Sequence, residues 1–145
     1  MANFILLSTP TLGSAFTSYR VAIIDGAKTP TLKAFYQAIE KGLSFPEDFE
    51  HNLESLDEFL NDLEWISASD VAIFVKNSDG FLAQEKPNKI LELFNLLDAT
   101  AEDWKWVDDD IEPKNVKIAF QHSPRIASLL DEEGIGYDTY NLSGR

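Results

Sequence analysis

The chain has 145 residues, of which 44% are hydrophobic and 12% aromatic, and its 25 acidic and 12 basic side chains leave a formal net charge of -13. That length and apolar content support one packed core and a single domain rather than disorder. The charge argues against nucleic acid or an anionic membrane as partner, because phosphate binding needs Lys and Arg gathered on one face, and the absence of cysteine excludes disulfides, thiolate nucleophiles and Cys-ligated metals and fits a reducing compartment.

In chain order, the N-terminal MANFILLSTP carries a short apolar run, has no basic n-region and turns polar at Ser8, so it lacks the form of a secretory signal. No run approaches the ~18 apolar residues of a spanning helix. A soluble cytoplasmic protein, monomeric when free, is the expectation. Phe4 to Leu7 reads as a strand, broken by the turn-forming Thr9-Pro10-Thr11-Leu12-Gly13-Ser14. Val21-Ala22-Ile23-Ile24 reads as a second strand closed by Asp25-Gly26, and both runs look buried. With Thr29 or Thr31 as N-cap, Leu32, Phe35, Tyr36, Ile39 and Leu43 fall on one stripe and predict a helix to about Lys41-Gly42.

The stretch from Phe45 to Trp65, FPEDFEHNLESLDEFLNDLEW, holds eight carboxylates between Glu47 and Glu64 and no Lys or Arg. Phe49, Leu53, Leu56, Leu60 and Leu63 step alternately by four and three, so they share one helical face directed at a core. Glu54, Glu58 and Asn61 then point away from that core, with Asp57 and Asp62 on the shoulders. Carboxylates this dense repel one another and oppose compaction. Solvated helices normally interleave signs and gain about 0.2–0.5 kcal/mol per i,i+4 pair. Two readings stand: a charged face that confers solubility, and a surface built to meet something basic, which the missing Lys and Arg favour. Asn52 is placed both to cap this helix and to reach outward.

Val71-Ala72-Ile73-Phe74-Val75 has no polar member, the pattern of a strand covered on both faces. Pro87 opens a helix with Ile90, Leu93, Phe94 and Leu97 on its stripe, and Asn115 to Phe120 alternates as a strand. Ser123-Pro124 starts a short helix through Ile126, Leu129 and Leu130, ended by Gly134 or Gly136, and Tyr137 to Leu142 adds a last strand. Strands alternating with helices imply right-handed crossovers and an α/β fold: a small, mainly parallel sheet of roughly three or four strands packed by helices. No internal repeat or low-complexity linker interrupts the chain.

These residues resemble the barstar family, intracellular inhibitors of the bacterial ribonuclease barnase. The likeness is carried by Ile24-Asp25-Gly26, by Leu43-Ser44-Phe45-Pro46-Glu47-Asp48-Phe49, and by Asn52-Leu53-Glu54-Ser55-Leu56 with an acid at Glu58, and it runs from about Arg20 to Phe120. It implies one barstar-like domain over residues 1–145, with a core of about 20–120 and terminal extensions 1–19 and 121–145. It also implies that the second helix and its preceding loop lie across a ribonuclease active site, with Asn52 and Glu54 touching the enzyme and Glu58 at its phosphate site. The chemistry is plain: a cleft that holds a phosphodiester is positive, and fixed carboxylates can stand where phosphate would. The family's loop aromatic, the following glycine and a helix tryptophan are replaced by Asp48, Glu50 and Asp57, and a later contact acid aligns with Leu96. Charge has taken the place of aromatic anchors, which points to a toxin more basic than barnase. The expected partner-binding set is Asp48, Glu50, Asn52, Glu54, Asp57, Glu58 and Asp62, in a stoichiometric inhibitor that serves as the immunity protein of a ribonuclease toxin, without cofactor or catalysis. The alternative is a non-inhibitory acidic module that binds another basic protein.

Other candidates carry less. Asp108-Asp109-Asp110 offers oxygen ligands for a hard cation, but its spacing fits neither an EF-hand nor a nucleotide-linked magnesium site, and an acidic loop before Pro113 is the simpler account. His51 and His122 lack an ordered nucleophile, base and orienting group. Glu54 and Glu58 as a hydrolytic pair would sit on an open convex face where water is not excluded. Trp104 and Trp106 read first as packing residues, with a binding platform as the lesser reading, and there is no glycine-rich phosphate loop.

Overall fold

The computed structural model describes residues 2–8, 16–107 and 110–140. Five strands, β1 (Phe4–Leu7), β2 (Arg20–Asp25), β3 (Asp70–Lys76), β4 (Asn115–Gln121) and β5 (Tyr137–Tyr140), form one sheet in the order β2-β3-β4-β1-β5. Every pairing is parallel. The expected α/β fold with a small parallel sheet is therefore present, and each terminal segment adds a strand, which takes the count above the three or four anticipated. The expected turn from Thr9 to Ser14, Asp108 and Asp109 of the acidic triplet, and the end of the last strand at Asn141 and Leu142 lie outside the described residues.

Four helices, α1 (Leu32–Gly42), α2 (Leu53–Leu60), α3 (Pro87–Asp103) and α4 (Pro124–Glu133), contribute to one core with the strand residues Phe4, Leu6, Ala22, Ile24, Ile73, Ile118 and Phe120. Strand topology explains why they share a face. The steps β2 to β3, β3 to β4 and β4 to β5 advance in one direction across the sheet, so right-handed crossovers put their helices on the same side. The step from β1 to β2 runs back the other way, and Phe16, just before β2, packs on the opposite face with Ile5, Leu7, Ala72, Phe74 and Ala119. β3 and β4 are buried on both faces; the apolar run of β3 requires it, whereas the alternation read in β4 does not foretell it, since Lys117 is itself buried with its ammonium donating to the Ala2 carbonyl. β2 is an edge strand with Ile23 62% exposed. This corrects the expectation that the Val21–Ile24 run is wholly buried: Ala22 and Ile24 face the helices, Ile23 faces the opposite side, and among the described residues no strand lies beyond β2.

Local chemistry sets the helix ends. Thr31 caps α1, its hydroxyl accepting from the Ala34 N–H, while Thr29 is buried and donates to the Asp25 carbonyl. Pro87 and Pro124 occupy first-turn positions, where no amide proton is needed. Ser123 caps α4, and Gly134, at φ 72°, ends it in the left-handed conformation. Gly26 lets the end of β2 close on the turn after β3: a Cβ there would stand 2.3 Å from the Asn77 carbonyl oxygen.

Candidate protein-binding site

The acidic stretch folds as a loop, then α2, then a reversal. α2 spans only Leu53–Leu60, so Phe49 precedes it and Leu63 follows it, although both are buried as the periodicity required. At the near end, Asn52 Oδ1 accepts from the Ser55 N–H at 2.7 Å, and Ser55 Oγ accepts from the Glu50 N–H at 3.1 Å, so the loop and the first helical turn hold each other. At the far end, the Asn61 side-chain amide donates back to the carbonyl and carboxylate oxygens of Asp57. Ser44, His51 and Leu63 bracket the unit with φ of 53°, 55° and 50°. Non-glycine residues in that region cost on the order of 1 kcal/mol or more each and persist where the surroundings over-determine them.

Those surroundings are aromatic. Phe45 and Phe49 meet edge to face with centroids 4.8 Å apart, Phe59 lies 5.4 Å from each, and Tyr36 and Trp65 close the cluster. The Trp65 indole N–H donates to the Leu43 carbonyl at 2.9 Å, and the Arg20 guanidinium holds the Gly42 carbonyl and the Ser44 hydroxyl. His51 contacts the Phe49 ring and pairs with Glu40 at 2.8 Å. The loop is thus pinned to α1, to β2 and to the segment after α2.

On this frame Asp48, Glu50 and Asn52 lie in the loop, Glu54, Asp57 and Glu58 on α2, and Asp62 just beyond it, and all seven are exposed. Among the described residues, none of the eight carboxylates from Glu47 to Glu64 forms an ion pair, and no three or more His, Cys, Asp or Glu side chains are gathered to hold a metal. The array is exposed, anchored from below and without an ion-paired basic side chain among the described residues. Asn52 caps the helix with its oxygen and is exposed. Leu96, on α3, is only partly buried against the core.

Two aromatic residues escaped the sequence reading. Phe59 and Trp65 are half-buried beside the acids and line a surface pocket of about 400 Å³ with Pro46, Asp48, Glu58, Asp62 and Glu64. The available signal was Trp65, an apolar residue at the end of the acidic run and off its helical stripe.

Away from this surface, Trp104 is buried and donates its indole N–H to the Leu60 carbonyl at 2.8 Å, which packs the turn after α3 beneath the end of α2, whereas Trp106 is 78% exposed and so is not the packing residue expected. The Trp106 indole, the Lys105 ammonium and the Asn3 amide all donate to Glu102, holding its carboxyl at about 2. Hydrogen bonding by Asn77 holds Asp25 below the usual carboxylate range, and burial lowers the Lys117 ammonium in the middle of β4. Ser123, between His122 and α4, spends its hydroxyl on capping and on Asp79.

Fold and site together define a small α/β domain that presents a pinned acidic loop and helix. The family model for Barstar (barnase inhibitor) matches residues 19–123, most of the chain, and the protein belongs to this family. The match takes in β2, α1, α2, β3, α3 and β4, and leaves β1, α4 and β5 outside. Among curated proteins none matches. Among solved structures, the Aeropyrum pernix ORC2 protein in its ADP form is similar at 15% identity, with a TM-score of 0.56 over 97% of this chain. This chain spans 42% of that protein's length, and at such identity the likeness is one of fold alone.

Proposed function

We propose that the chain is a stoichiometric protein inhibitor, the immunity partner of a ribonuclease toxin more basic than barnase, and that it acts in the cytoplasm without catalysis or cofactor. One observation carries this reading: the loop and helix that family membership would lay across a ribonuclease are, in this chain, an exposed set of unpaired carboxylates on a pinned frame. Glu58 occupies the phosphate-binding centre, Glu54 and the Asn52 amide bond the flanking groups, and Asp48, Glu50, Asp57 and Asp62 steer the approach. The frame limits the ordering cost on binding, since the loop and the short helix are already held in place.

The test is capture from lysate of the source organism with wild type and with Glu54→Lys/Glu58→Lys, at low and high salt, followed by a ribonuclease assay on the eluate. Capture of a basic protein by wild type alone, weakened by salt, with its RNA cleavage stopped by the inhibitor, supports the proposal. A captured protein that cleaves no RNA would make the chain a plain interaction module. Equal capture by the variant would return the acids to a solubility role.

A further inference from the structure

Resting on that inhibitor reading, we infer that the pocket beside α2 receives one arginine side chain of the basic partner. The pocket is bounded by two kinds of surface. Phe59 and Trp65 supply aromatic wall, and Asp48, Glu58, Asp62 and Glu64 supply carboxylates. At about 400 Å³ it lies at the small end of the ~300–1,000 Å³ range of ligand sites. A guanidinium suits both surfaces: its plane stacks on an aromatic ring while its N–H fork reaches carboxylate oxygens, which a compact ammonium does less well.

The walls are fixed before any partner arrives. The Trp65 indole is committed to the Leu43 carbonyl, and Phe59 is held against Phe45 and Phe49. Leu63, in its left-handed conformation, donates its N–H to the Phe59 carbonyl and accepts from the Ile66 N–H, so the chain turns back and carries Glu64 and Trp65 to the side of α2. Among the described residues no Lys or Arg lines this pocket. The adjoining larger groove, about 520 Å³, shares Asp62 and Glu64 but also contains Lys114, whose ammonium is held by the carbonyls of Ile66 and Ala68, and it is the poorer place for a cation. The arrangement also accounts for Asp48 and Asp57 standing where the resemblance implied aromatic anchors. Aromatic surface has moved from projecting knobs into the wall of a hole, and the anchoring side chain comes from the other protein.

The experiment is a ¹H–¹⁵N NMR titration of the full chain with N-acetyl-arginine amide and with its uncharged isostere, N-acetyl-citrulline amide. The arginine probe is expected to shift the Trp65 indole N–H and the amides of Phe59, Asp62 and Glu64, the citrulline probe is not, and Asp62→Asn/Glu64→Gln is expected to weaken the response at least about fivefold. Equal shifts from both probes, or arginine shifts spread evenly along α2, would overturn the inference, because they describe a greasy patch or a diffuse counterion effect. The same double variant, exposed and isosteric, is expected to weaken capture of the partner about thirtyfold, as for an interface hot spot. Unchanged capture by that variant, with capture still abolished by Glu54→Lys/Glu58→Lys, overturns the pocket and leaves the inhibitor reading intact. A pocket-specific arginine response with no protein captured by wild type supports the guanidinium site and overturns the inhibitor reading.

Discussion

Asn52 has two duties that a pair of substitutions can separate. Its side-chain oxygen caps α2 through the Ser55 N–H at 2.7 Å, and the proposed partner contact uses its amide nitrogen. Replacing a capping Asn by Ala costs about 1 kcal/mol. α2 has only eight residues, so its first turn depends on this bond and on the Glu50 to Ser55 contact. With a urea m-value of about 2 kcal/mol/M for a domain of this size, Asn52→Ala is expected to lower the urea midpoint by about 0.5 M. Asn52→Asp keeps a capping oxygen and adds charge that the helix N-terminus favours by about 0.3–1 kcal/mol, partly offset by repulsion from Glu50 and Glu54. Its midpoint should stay within about 0.2 M of wild type. In the binding assay the order reverses in meaning: Asn52→Asp removes the amide donor from an intact helix, and partner affinity is expected to fall about fivefold to tenfold, the value of one hydrogen bond of about 1–1.5 kcal/mol. An Asn52→Ala midpoint equal to that of wild type refutes the capping account. Wild-type affinity in Asn52→Asp refutes the contact and leaves Asn52 a structural residue.

Two further outcomes follow from geometry. Gly26→Ala places a Cβ 2.3 Å from the Asn77 carbonyl oxygen and 2.9 Å from that of Lys76, both backbone atoms that cannot step aside, and should cost about 3 kcal/mol, read as a urea midpoint lower by more than about 1 M. Glu102 binds its proton less readily folded than unfolded, with a carboxyl at about 2 against an ordinary 4.5, so its contribution is whole above pH 4.5 and is lost as the pH falls toward 2. The wild-type melting temperature should therefore drop more steeply across that window than that of Glu102→Gln, and parallel profiles for the two proteins would contradict the assignment.

The sequence made some elements legible and hid others for identifiable reasons. Val71–Val75 announced a strand buried on both faces because every side chain in it is apolar, and the capping signals at Thr31, Ser123 and Gly134 marked real helix ends. Helical angles put Glu54, Asp57 and Glu58 outward, as they stand on α2, whereas Asp62 is exposed from beyond the helix and Asp48 and Glu50 from the loop before it. What periodicity could not report was where α2 stops: Leu63 continues the apolar stripe, yet it is buried from a left-handed turn outside the helix, because burial requires only that the side chain reach the core. The pocket was hidden for the same reason, since Trp65 reaches Phe59 only through that reversal. Exposure of Ile23 was also illegible, because an edge strand and a central one carry the same local pattern and differ only in what lies beyond them. Trp106, two positions from the buried Trp104, shows that a tryptophan's side of the chain depends on a single short turn.

The position of β1 bears on how the molecule is assembled. Phe4–Leu7 lies between β4 and β5, with Phe4 opposite Ile118 on one side and Tyr137 on the other. β1, made before β4 and β5, therefore has no partner in this sheet until they follow it, and β5 has no sheet to join until β1 is seated. Closure of such distant pairings is slow, and the waiting strand, which is wholly apolar, is open to wrong contacts in the interval. The segment matched by the family holds the three adjoining strands β2, β3 and β4, and β1 and β5 extend the sheet from the β4 edge.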